Sequence, residues 1–233
     1  MSVPSWYLDE LAHAGPEHLD AAYIAGYDRK GGYDPSHDVE RLRALGLDST
    51  ASLVDLGCGT GAVALAVAPF CRQVIAVDVS PLMLAALAAR VRQSGIDNLT
   101  LVKAGFLSYL HQDEPADFVV SRHALHHLPD FWKALALSRV TGILRPGGVF
   151  YLRDLIYAFD PRDAEPTIEN WLAHAARRPA DGWTRSELET HLREEHSTFT
   201  WLLEPMLERA GLKIQEREYS SSQTYATYVC VKA

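Results

Sequence analysis

The nine residues Leu53-Val54-Asp55-Leu56-Gly57-Cys58-Gly59-Thr60-Gly61 constrain this chain more than any others. An apolar run ends in a carboxylate, three glycines alternate with short residues, and the apolar segment Ala62 to Ala68 follows. The pattern predicts a buried strand, a tight turn and the opening of a helix. Glycine is needed where the chain turns sharply or lets a ligand lie against bare backbone. A helix that opens there offers unpaired N–H groups and a positive dipole end. A ligand with oxygen atoms is therefore expected on this loop.

Two patterns fit the spacing. Gly57, Gly59 and Ala62 satisfy the dinucleotide fingerprint G-x-G-x-x-A, with Asp78 about twenty residues on, where a ribose-binding acid belongs. On that reading the chain is an NAD(P)-dependent oxidoreductase. Asp55 and Gly61 extend the motif to D-x-G-x-G-x-G, which opens a second reading. The rest of the chain decides between them.

Gln73 to Val79 reads as a second buried strand ending in an acid. Ser80-Pro81 then caps a helix over Leu82 to Gln93, closed by Gly95. Leu99 to Ala104 reads as a third strand and Gly105-Phe106-Leu107 as the loop after it. Asp117 to Arg122 is a fourth strand, followed by His123-Ala124-Leu125-His126-His127-Leu128-Pro129-Asp130. Asp130 is expected to cap a helix over Phe131 to Ile143. Leu144-Arg145-Pro146-Gly147-Gly148 turns into a fifth strand, Val149 to Asp154. Leu212 to Glu218 and Thr224 to Val231 alternate like a closing antiparallel pair.

The D-x-G-x-G-x-G loop, the strand D-x-V-x-S, the L-H-H-L segment and the L-x-P-G-G turn together resemble the class I methyltransferases that use S-adenosylmethionine, in their small-molecule form. The resemblance runs by motif over residues 51 to 155 and by pattern through the last strands. It implies an α/β fold: a doubly wound, seven-stranded, mostly parallel sheet with an antiparallel C-terminal hairpin. A helical N-terminal cap would occupy residues 1–50 and the cofactor-binding domain 51–233. A helical insertion over 156–200 would cover the substrate site. The implied cofactor is S-adenosyl-L-methionine, with S-adenosyl-L-homocysteine as product. Asp55, Gly57, Cys58 and Gly59 would hold its methionine end, mainly through backbone. Asp78 and Val79 would hold ribose and adenine, and Gly105 and Phe106 would flank the adenine. Ser121 and Arg122 would lie near the methyl donor. Many members place an Asp where Phe106 stands. This chain departs from the pattern there, and its aromatic ring is suited to covering the adenine.

Methyl transfer from a sulfonium is an in-line displacement with a neutral leaving group, so alignment and exclusion of water supply much of the rate. A base is required only if the acceptor arrives protonated. His126 is then the first candidate and His127 the second. Tyr23, Tyr27 and Tyr33 are expected to form a lid, since aromatic faces attract a cationic centre. His126, Arg153 and Asp154 are candidates for contact with a polar acceptor. His123, His126 and His127 would share a helical face, which invites a zinc reading. No cysteine, and no carboxylate beyond Asp130, stands near enough in sequence to complete such a site, so no metal is expected.

The remaining segments read as helical. Residues 1–50 lack strand alternation, with a glycine-broken loop over Tyr27 to Pro35. Ser36 would cap a helix from His37 to Leu45 that ends at Gly46. Ala158 to Ala180 is charged and helical, and Thr184-Arg185-Ser186-Glu187 is a capping box. Ser197 to Gly211 is a helix that begins near Trp201 or kinks at Pro205.

Composition sets outer limits. At 233 residues the chain is long enough for one large α/β domain. No apolar run approaches the ~20 residues of a membrane span, and Met1 to Gly15 shows no signal-peptide pattern. Cys58, Cys71 and Cys230 make no disulfide or metal pattern. The expected location is the cytoplasm and the expected partner a small-molecule methyl acceptor, with no membrane. The net charge of −8 argues against a nucleic-acid methyltransferase, which needs a basic face. A non-catalytic cofactor-binding homologue fits the same motifs. Neither the acceptor nor the oligomeric state is legible in the sequence.

Overall fold

The computed structural model describes residues 4–179 and 181–233; Met1 to Val3 and Ala180 lie outside them. After two single 3-10 turns come helices α1 (Ala21–Gly31) and α2 (Ser36–Ala44). The motif region follows as β1 (Ser52–Leu56), α3 (Ala62–Val67), β2 (Gln73–Asp78), α4 (Pro81–Ser94), β3 (Leu99–Lys103) and β4 (Ala116–Arg122). Then come α5 (Asp130–Ile143), β5 (Leu144–Asp154), β6 (Ile156–Tyr157), α6 (Ala164–Ala175) and α7 (Arg185–Glu194). The chain closes with β7 (Thr198–Phe199), α8 (Thr200–Arg209), β8 (Leu212–Tyr219) and β9 (Ala226–Lys232).

The main sheet has seven strands in the order β3-β2-β1-β4-β5-β9-β8. The first five run parallel, β9 is antiparallel to β5, and β8 is antiparallel to β9. This is the expected doubly wound sheet with its antiparallel closing pair. The order reverses between β1 and β4, which opens a crevice above their carboxyl ends.

Alternate residues of each central strand feed two cores, because a strand's side chains point to opposite faces. Val54, Leu56, Val119, Phe150 and Leu152 pack with Leu137 and Val140 of α5 and with Leu203 and Leu207 of α8. Leu53, Val74, Phe118 and Tyr151 pack on the other face with Leu42, Val63, Val67 and Leu87. A third, smaller cluster of Leu155, Trp171, Leu172 and Leu188 belongs to the segment between β5 and β7.

Several local signals hold. The Ser80 hydroxyl accepts the Met83 N–H, with Pro81 in the first turn of α4. Thr184 and Glu187 form the full capping box of α7. Gly46 takes a φ of 99° just past α2.

Other signals give way. The expected loop over Tyr27 to Pro35 is helical as far as Gly31, because α1 runs through Tyr27 to Lys30 before the glycine pair stops it. Ser36 and Asp130 are first helical residues rather than caps; Pro35 and Pro129 take the cap positions without a side-chain bond. Asp34 accepts both the N–H and the hydroxyl of Ser36, and Asp130 turns to Lys133. His123 has a φ of 50°, and only Leu125 to His127 form a 3-10 turn. The three histidines therefore do not share a helical face. The short β6–β7 ribbon was not legible from periodicity: two residues a side are too few to show alternation. α8 starts at Thr200 and carries Pro205 inside.

Candidate functional site

A cleft of ≈ 610 Å³, partly open to solvent, lies over the switch point. The glycine loop, Asp78 and Val79 form its floor, Gly105 and Phe106 one side, and His123, Ala124, His127 and Leu128 another. Glu10, Ala14, His18 and Tyr27 come over it from the N-terminal segment.

All three loop glycines have a positive φ, and at two of them a Cβ would also meet a neighbouring side chain. Gly57 has a φ of 75°, and a Cβ there would lie 2.2 Å from the Cβ of Ala124. Gly61 has a φ of 81°, and its Cβ would meet Leu87. At Gly59 a side chain would meet nothing within 4 Å, so this stretch of backbone faces open space. The N–H groups of Gly57 and Cys58 donate to the Val77 carbonyl at 2.8 and 3.0 Å. The Gly59 N–H donates to Asp78 Oδ2, and the Ser80 N–H to Oδ1, each at 2.8 Å. These bonds fix the loop to the end of β2 and hold the Asp78 carboxylate at the cleft. Burial raises the Asp78 pKa, against the pull of those N–H groups.

Asp55 lies beneath the loop, 2% exposed. Burial pushes its pKa up to about 7, helped by the charge of Asp78 and opposed by Arg122. Cys58 is buried too. Ser121 is fully buried, and its hydroxyl has no hydrogen-bond partner. Arg122 turns from the cleft: its guanidinium stacks 3.5 Å from the centre of the Tyr33 ring and pairs with Asp38. Asp38 also accepts from the hydroxyls of Tyr33 and Tyr151. Of the three lid tyrosines, Tyr27 lines the cleft. Tyr23 packs on Tyr27 and Trp183, while Tyr33 belongs to the Asp38 group. Arg153 donates to Thr227 across the β5–β9 pair.

The two histidine candidates part company. His127 is on the cleft wall, whereas His126 lies behind it, 6% exposed. His126 Nδ1 donates to Asp154 Oδ1 at 2.5 Å, and its Nε2 is 2.9 Å from Glu195 Oε2. Burial opposes a charge on His126, but Asp154 and Glu195 outweigh it and raise its pKa. Against burial, His126 in turn holds the Asp154 carboxyl well below the usual range. Burial, then the charge of His126, keeps His127 neutral.

Two residues the sequence reading did not single out complete the surroundings. Glu10 accepts the Leu107 N–H at 2.9 Å and the Ser108 hydroxyl at 2.7 Å, clamping the N-terminal segment to the loop after β3. Glu195 arrives at His126 because the His196 N–H donates to the His126 carbonyl, while Lys133 holds the His196 carbonyl. A carboxylate one residue past the end of a polar helix carries no local signal that could have marked it.

Residues 53–148 match a family model described as a methyltransferase domain. The chain is similar to the uncharacterized methyltransferase YcgJ of Bacillus subtilis, 28% identical over 54% of this chain and 47% of that one. It is also similar to a ubiquinone biosynthesis O-methyltransferase of Stutzerimonas stutzeri, 26% identical over 70% of this chain and 73% of that one. The match spans about half the length of the first curated relatives. Among solved structures, the N-methyltransferase NodS of Bradyrhizobium japonicum, in complex with S-adenosyl-L-homocysteine, superposes with a TM-score of 0.62 at 16% identity. That superposition covers 97% of this chain and 99% of NodS. At that identity the likeness is one of fold.

Proposed function

We propose that the chain is a class I S-adenosylmethionine-dependent methyltransferase that transfers a methyl group from S-adenosylmethionine to a small-molecule acceptor. One observation carries the reading: the cleft at the switch point joins a bare glycine backbone, a strand-end carboxylate and an aromatic side wall. The residues suit the cofactor. The open space over Gly59 leaves room for an amino-acid tail. Asp78, held by two N–H groups, retains lone pairs for ribose hydroxyls, and Phe106 offers a ring edge or face to adenine. Asp55 supports the loop from below, and the position of Arg122 gives it the same supporting part through Asp38 and Tyr33.

S-adenosylmethionine supplies an electrophilic methyl group on a sulfonium, which a lone pair of the acceptor displaces in line. The protein's share is to align the two and exclude water. Tyr27, His18 and Glu10 cover the cleft from the N-terminal side, so the segment from Glu10 to Tyr27 serves as a cap. Lys30 of α1 pairs with Glu187 of α7, and Lys30 lies 5.0 Å from the centre of the Trp183 ring. Cap and insertion thus meet over the site, leaving a space suited to a small acceptor rather than a polymer. His123 and His127 are the polar side chains offered to that acceptor. No helix among the described residues is long and apolar enough to cross a membrane, and three buried free thiols fit a reducing compartment such as the cytoplasm.

The test has two arms. Calorimetry with S-adenosylhomocysteine should show binding at one site per chain, and NADH none; the reverse would discard the reading. Incubation of a cell extract with S-adenosylmethionine bearing a deuterated methyl should then label metabolites and leave RNA and protein fractions unlabelled. Label confined to a polymer would overturn the small-molecule acceptor.

A further inference from the structure

The geometry points to a divalent transition-metal site formed by His126, His127 and Glu195, just behind the cleft wall. Each residue offers one ligand atom, and the three atoms lie within 4.8 Å of one another. Two histidines and a glutamate are an established ligand set for zinc, and a two-histidine, one-carboxylate set also suits iron(II).

Three further observations separate this cluster from a simple ion pair. First, Glu195 Oε2 stands 2.9 Å from His126 Nε2 and close to His191, yet it is buried with no aligned hydrogen bond. Two atoms bound at ~2.1 Å to one ion sit about 3 Å apart, which needs no N–H pointing between them. Second, His127 Nδ1 is buried without a hydrogen-bond partner; a buried polar atom left unpaired is costly and asks for a ligand. Third, the far nitrogen of His126 donates to Asp154, and Asp154 is fixed by the N–H groups of Leu155 and His126. A carboxylate behind a ligating histidine is the support that orients such ligands and raises their basicity.

Binding would displace any proton on His126 Nε2 to solvent. His127 also lines the cleft, with the His18 ring 5.4 Å from its own. The site is argued from the protein's own side chains and stands whether or not methyl transfer is the reaction.

The experiment uses the full chain, free of any affinity tag and stripped with chelator, in equilibrium dialysis against zinc at pH 7.5. One equivalent should bind. Glu195→Gln and His127→Asn should each weaken binding at least tenfold, and Asp154→Asn by 10–100-fold. Asp160→Asn, on the surface, should leave it unchanged. Circular dichroism and cooperative melting report whether each variant folds. Cobalt(II) loaded into the wild type should give intense four- or five-coordinate visible bands, which guards against a variant that fails to fold. Less than a tenth of an equivalent bound, or equal binding in folded Glu195→Gln and wild type, would overturn the site. Calorimetry with S-adenosylhomocysteine on the metal-free protein distinguishes that outcome from failure of the cofactor reading.

Discussion

Around the glycine loop the bonds tie the turn after β1 to the end of β2, Gly57 and Cys58 to Val77 and Gly59 to Asp78, and Ser80 closes a local turn on Asp78. Around His126 they run between segments far apart in the chain, joining the 3-10 turn after β4, the end of β5 and the residue past α7. The first region is held largely by backbone and leaves no room for a Cβ at Gly57 or Gly61. The second is held by side chains, each replaceable in principle, with much of its stability in a few buried charges. The lesson is one of division: the glycine-loop side is specified by where side chains must be absent, the histidine side by which ones converge.

The comparison makes predictions that differ in size. Asp154→Ala should have the largest effect, because it strands a buried imidazole and two backbone N–H groups. A loss of about 3–5 kcal/mol is expected for a buried pair broken from one side, read from denaturant unfolding. A loss below 1 kcal/mol would mean that the second region is not held by its charges.

Asp55 comes next. Its folded pKa of about 7 lies above the ~3.9 of an exposed Asp, so the folded protein binds this proton more tightly than the unfolded chain. Its contribution to stability is full below about pH 4, is lost as pH rises to 7, and stays lost above. Asp55→Asn should therefore flatten the pH dependence and stabilise the protein at pH 8 by on the order of 3 kcal/mol. Melting temperatures at pH 5 and pH 8 decide it; parallel shifts at both would refute the raised pKa.

Gly57→Ala tests the backbone side directly. The φ of 75° and the 2.2 Å approach to Ala124 should cost S-adenosylhomocysteine affinity about 100-fold, or ~2.7 kcal/mol, by calorimetry. Affinity within threefold of wild type would show that the loop has slack. Glu10→Gln is the mildest change. It weakens two hydrogen bonds to the loop after β3, for about 1 kcal/mol, a fivefold loss of the same affinity with the melting temperature nearly unchanged. An equal loss of stability and affinity would make Glu10 a packing residue rather than a clamp.

Legibility followed the same division. The parallel strands, the glycine loop, the Ser80 cap and the Thr184 capping box were readable because each depends on residues within a few positions of one another. Asp78, Gly105 and Phe106 came with them, since a strand end fixes where its next residues point. The histidine segment looks helical in the sequence because three histidines at helical spacing are alike whether or not the backbone turns; His123, with its positive φ, breaks the pattern. Ser121 and Arg122 were expected beside the methyl donor, but alternation along β4 sends Arg122 to the α2 face, where Asp38 and Tyr33 hold it.

By itself, then, the sequence determined the sheet, its switch point and the bare floor of the cleft. These follow from side-chain period, turn chemistry and the missing Cβ atoms, all of them local. Only the tertiary structure decided that Glu10 closes over the loop after β3, that His127 rather than His126 reaches the wall, and that Glu195 stands against both histidines. Long polar side chains have no preferred partner in the unfolded chain; burial leaves each with the few groups that distant segments happen to bring within reach.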